Sequence, residues 1–172
     1  MAEITFINNK ARKERFKYIF VFVFALITWI LQVSIINQFL FFDTTPNLIL
    51  LGNIYCGLTF GPLFGTIFGI TSSFFTSSIL YDHVFYFSYP LIGFLAGMLT
   101  KNLFSDDLLL FIILSFVLTF FCELLNGWQY SIINPVNISS RYFLISFFGA
   151  ILNLLIAPFF FILMRFITKD IK

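Results

Sequence analysis

The residues able to do chemistry in this chain are few, and their positions restrict what they can do. A single histidine, His83, sits beside Asp82. A zinc site needs three or four ligands, and the two cysteines, Cys56 and Cys122, lie within separate apolar runs. Thiols in such runs act as packing groups, and His83 reads as a solvated turn residue. No glycine-rich phosphate loop follows a strand, and no Ser or Cys nucleophile has a base beside it. Asn137-Ile138-Ser139 matches a glycosylation sequon, but so short a pattern recurs by chance. The sequence predicts no enzyme, no cofactor and no metal.

Two other sets of residues carry more information. Glu123 stands in an apolar run about seven residues from its end, or about 10 Å along a helix. A carboxylate at the centre of a membrane costs about 3 kcal/mol, so it faces protein or water and has a partner. Arg141 is the basic candidate on that side. Two readings stay open: a locally bonded Glu that holds helices together, or one that binds a partner or ligand. The second set is a ladder of small residues. Gly57, Gly61, Gly65 and Gly69 recur every four positions, and Ser73 and Ser77 continue the spacing. On a helix this is one face, so a smooth stripe is expected from Gly61 to Ser77. Gly93 and Gly97 repeat the spacing, as do Gly149, Asn153 and Ala157. Such stripes let backbones approach closely in lipid. Packing within the chain is the plain reading, and a groove for a partner's transmembrane helix the sharper one. Ser72, Ser73, Thr76, Ser77 and Ser78 add hydroxyls suited to bonding between helices.

The elements that position these residues are apolar throughout. Of 172 residues, 60% are hydrophobic and 10% charged, with a mean hydropathy of +0.99. A soluble domain has about a quarter of its residues charged. The expected fold is an all-α membrane protein, a compact bundle of about six transmembrane helices in a single domain over 1–172. Its spans are read at 18–42, 46–60, 62–81, 84–100, 108–130 and 141–168, the second and fourth short for a full crossing. The first run follows a basic stretch but is too long for a signal peptide and lacks a small-residue cleavage site.

Charge gives the orientation. Lys10, Arg12, Lys13, Arg15 and Lys17 precede the first span, Lys101 follows the fourth, and Arg165, Lys169 and Lys172 end the sixth. Alternating spans put all of these on one side, which the positive-inside rule makes cytoplasmic. Arg141, Asp43 and Asp82 fall on the other, where Tyr81, Tyr86, Trp128, Tyr130 and Tyr142 mark the interface. Membrane lipid is an expected partner and nucleic acid is not.

In order and spacing, several short motifs together resemble the MreD family of rod shape-determining proteins. They are Pro46-Asn47 before the second run, Gly61-Pro62 with Gly65 and Gly69, Gly93-Phe94-Leu95-Ala96-Gly97, and Pro158 through Met164-Arg165. The resemblance covers the chain from its basic start to Lys169. It departs where the family carries an acidic residue four after the second glycine of the third span, here Ser73, and basic residues before Gly-Pro, here Leu58-Thr59-Phe60. The resemblance implies a scaffold in the bacterial inner membrane that binds MreC, in one complex with MreB, RodA and a penicillin-binding transpeptidase. It also implies a fold similar to the substrate-binding S-components of energy-coupling-factor vitamin transporters. Those subunits supply the alternative function. Against it, their paired alanines near the start of the first span are replaced here by Phe20, Phe22, Phe24 and a lone Ala25.

Overall fold

In the computed structural model the described residues are 2–41, 44–80, 85–100, 107–133, 140–169 and 171. Asp43, Tyr81, Asp82, His83, Lys101, Asn134, Pro135, Asn137, Ile138, Ser139 and Lys172 lie outside them, as do the side chains of Lys10, Lys13, Tyr86 and Arg141. The named elements are helices: α1 (Ala2–Ser34), α2 (Leu48–Phe60), α3 (Pro62–Leu80), α4 (Phe85–Thr100), α5 (Leu108–Ile133) and α6 (Ser140–Thr168), with a 3-10 turn at Ile36–Gln38.

Three segments are long and apolar enough to cross a membrane: Glu14–Gln38, Leu108–Ile132 and Tyr142–Thr168. Leu48–Phe60 and Phe87–Leu99 are shorter apolar helices. The first apolar run also differs from the expected continuous span over 18–42. Its helix begins at Ala2, carries the basic stretch, and stops at Ser34. Beyond it Gln38 Nε2 donates to Ser34 O at 2.7 Å, and Phe41 and Thr44 pair in an isolated bridge.

α2 is the axis of the bundle. Every residue from Ile49 to Leu58 is buried, as a helix apolar on all sides requires, and α2 touches α1, α3, α4, α5 and α6. Around it, contacts join α1 to α3, α3 to α4, α4 to α5 and α5 to α6. The directions alternate. Gly65 meets Gly93 while Gly97 meets Pro62, so α3 and α4 are antiparallel. Thr119 meets Asn153 while Gly127 meets Tyr142, so α5 and α6 are too. Tyr55 of α2 stacks edge-on against Phe111 and Phe161 at the middle of the core.

The ladder of small residues does not run along one helix. Gly61 lies between α2 and α3, with φ of 99°, a conformation glycine adopts without strain. Its N–H caps α2 by bonding Gly57 O at 2.9 Å, and Pro62, pre-set for a first helical position, starts α3 at once. The corner folds Gly57 back onto Gly65: a Cβ on Gly65 would stand 2.8 Å from Gly57 Cα and would collide with the carbonyl of Gly93. A Cβ on Gly69 would stand 2.7 Å from Pro90 Cα. Gly65 and Gly69 are thus filled by α4 and the end of α2. Most hydroxyls of α3 bond carbonyls of their own helix, while Ser77 Oγ is buried with no hydrogen-bond partner among the described residues. Ser72 donates to Phe68 O, Ser73 to Gly69 O and Thr76 to Ser72 O, at 2.7, 2.6 and 2.8 Å.

Candidate functional site

The first N–H groups of a helix have no partner inside it, and α2 starts among other helices rather than in solvent. Three side chains supply what is missing. Asn47, its N-cap, accepts from Leu50 N at 2.9 Å. Gln32 of α1 accepts from Leu48 N at 2.8 Å and donates to Pro46 O at 2.9 Å and Asn37 Oδ1 at 2.8 Å. Asn153 of α6 accepts from Asn47 N at 2.7 Å and donates to Thr119 Oγ1 of α5 at 2.9 Å. Pro46 has no N–H to satisfy, which limits the demand at this point. The start of α2 is held by a clasp drawn from α1, α5 and α6.

The clasp continues into a second group of polar side chains. Asn47 Nδ2 donates to Tyr89 OH of α4 at 3.0 Å. The Glu123 carboxylate of α5 lies within hydrogen-bonding reach of the side chains of Asn47 and Asn126. Its Cγ faces Gly149, where a Cβ would stand 3.9 Å away. Arg141, the partner proposed on sequence grounds, has its backbone two turns of α6 beyond Gly149, about 12 Å along the axis. Asn126 is buried, and its Oδ1 has no hydrogen-bond partner among the described residues. Asn53, fully buried in α2, donates to Tyr89 O at 2.5 Å and so ties α2 to α4 one turn further in. The Cys122 thiol is buried nearby, 3.9 Å from Asn126 Nδ2. Among the described residues, no three His, Cys, Asp or Glu side chains come together as metal ligands would.

The residues singled out in the sequence therefore fall into separate places. Pro46, Asn47 and Glu123 belong to the clasp. Gly61, Pro62, Gly65, Gly69, Gly93 and Gly97 form the α2–α3–α4 contact. Ser73 is buried on α3 one turn beyond Gly69, and Pro158 lies inside α6. Arg165, in the last turn of α6, is exposed. Asn153 is no small spacer between Gly149 and Ala157; it is the amide by which the clasp joins α2 to α5 and α6. Gln32, Tyr89, Thr119 and Asn126 were missed. The signal for them was present: Gln32, Asn126 and Asn153 are amides inside apolar runs, where an amide must find a partner.

At the other end of α2, Tyr55 OH lies 2.6 Å from Thr168 Oγ1, and Lys17 Nζ sits 5.6 Å from the Phe60 ring centroid. Between α1 and α6 a cavity of about 400 Å³ is lined by apolar side chains of both helices, with Leu48 of α2 also on its wall. Its one hydroxyl, Thr28, bonds its own helix at Phe24 O and Ala25 O. Compared with models of known protein families, with curated proteins and with solved structures, the chain matches none of them.

Proposed function

We propose that this chain crosses a bacterial cytoplasmic membrane six times, with both termini in the cytoplasm, and works as a non-enzymatic scaffold of the cell-elongation complex in the manner of MreD. One observation carries the reading. Several of the residues on which the resemblance rests sit where helices grip one another: Asn47 at the clasp, Gly61-Pro62 at the corner, Gly65 and Gly69 against Gly93 and Pro90. A chain whose distinctive residues hold helices in place is suited to presenting a fixed surface to other proteins. On this reading α2 is about 20 Å long against a hydrocarbon core of about 30 Å, so its start lies within the membrane. Each unmet N–H there costs several kcal/mol, which accounts for a clasp from three helices.

The partner on this reading is MreC, with MreB, RodA and a penicillin-binding transpeptidase in the same assembly. Affinity purification of the full chain from mild detergent is expected to recover MreC, and depletion to give rounded, widened cells. The transporter S-component is the second reading. The Asn126 Oδ1 and Glu123 acceptors favour it, since a small ligand's donors could meet them. Recovery of paired ATPases with a transmembrane coupler, and growth rescued by a vitamin, would sink the scaffold reading.

A further inference from the structure

The helices around α2 make contact in the order α1, α3, α4, α5, α6, and the cavity marks the seam between the last and the first. We propose that this seam holds one acyl chain of an anionic phospholipid from the leaflet on the side of the basic amino-terminal segment. The inference rests on the chain crossing a membrane and not on which protein partner it serves.

The seam follows α1 from Phe20 to Leu31, about 16 Å at 1.5 Å per residue, and its lining argues against a helix as occupant. Helix docking in lipid favours Gly, Ala and Ser, which let backbones approach. The walls here are Phe20, Phe24 and Leu31 on α1 and Phe159, Leu163 and Ile167 on α6. The one hydroxyl is already bonded to its own helix. Nothing polar is offered to a partner's side chains.

Charge selects the headgroup. Lys17 lies three residues before Phe20 and seven before Phe24, on the same face of α1, so an ammonium stands at the mouth of the seam. Its Nζ lies 5.6 Å from the centroid of Phe60, a ring that packs edge-on against Phe20 of the seam. Arg165 on α6 falls off the spacing that lines the seam and is exposed, which makes it a matched control. A phosphate oxygen at the mouth would meet Lys17, and its chain would run inward over α2 toward Leu48.

The test uses the full chain in phosphatidylcholine vesicles carrying a small fraction of phosphatidylglycerol with a photoactivatable group midway along one acyl chain. Labelling is expected to concentrate on residues 20–31 and 156–167, above that at Leu109, Ile113 and Val117, which are exposed on α5. Leu163→Trp, which fills the seam, is expected to abolish the excess. Lys17→Gln, away from the core, is expected to lower it about fivefold, one basic residue's contribution at an anionic surface, while Arg165→Gln leaves it unchanged. Even labelling of α1, α5 and α6 would overturn the chain's place. Equal labelling by a photoactivatable phosphatidylcholine would overturn the headgroup. A disulfide between a cysteine at 27 or 163 and a co-expressed protein's transmembrane helix would make the seam a helix dock instead.

Discussion

A leucine at position 65 would drive its Cβ into the Gly93 carbonyl and the Gly57 backbone, neither of which can swing aside. Overpacking of this kind costs about 1–3 kcal/mol, and Gly65→Leu is expected to lower the melting temperature in detergent clearly. Phe74→Leu, on the exposed side of the same helix, is the control and should melt with the wild type. Gly61→Ala tests a different cost: a Cβ there meets nothing within 4 Å, and only the positive φ resists it. Its penalty is expected at about 1–3 kcal/mol, since positive φ with an extended ψ of 177° is a region essentially reserved to glycine. In the clasp, Asn153→Leu strands the Asn47 N–H and should cost several kcal/mol, the penalty of an unmet backbone N–H within a membrane. Glu123→Gln keeps an acceptor for Asn47 and Asn126 and should be milder than Glu123→Leu. Equal stability of both with the wild type would show that the carboxylate holds nothing.

At the scale of elements, much was legible because apolar runs punctuated by Pro, Gly and polar residues leave little choice of where a helix lies. Asn47 and the Gly61-Pro62 pair mark the bounds of α2 in local chemistry alone. The end of α1 was not legible, since Ile35, Ile36, Phe39, Leu40 and Phe41 extend the apolar run past the helix. Hydropathy does not see the Gln38 amide, which bonds the Ser34 carbonyl. The clasp was illegible for another reason. Gln32, Asn47, Thr119 and Asn153 are far apart in sequence, and period counting shows which face a residue lies on but not which helix meets it. The hydroxyls of α3 show the same limit: their spacing suits bonding between helices as well as to their own carbonyls, and Ser72, Thr76 and Ser78 take the latter. If that accounting is right, replacing Thr76 by Val should change stability little, as its bond to Ser72 O gives way to the helix's own ladder.

For the whole molecule, the proposed topology places Asp43, His83 and Asn137 outside and Lys101 inside. Single cysteines at the first three positions, without Cys56 and Cys122, should react with an impermeant thiol reagent on intact cells. A cysteine at 101 should react only after the membrane is opened. The reverse pattern would invert the protein. The clasp also sets a schedule. Asn47 N and Asn153 Oδ1 are 106 residues apart, so the ribosome must add more than a hundred residues after Asn47 before the start of α2 can be completed. At 5–20 residues per second that wait is about 5–20 s. Until α6 emerges, α2 is an unfinished segment that the insertion machinery must shelter. Nascent chains stopped before Ser140 should keep α2 within crosslinking range of the translocon and fall to membrane quality-control proteases, while chains released past Thr168 escape both.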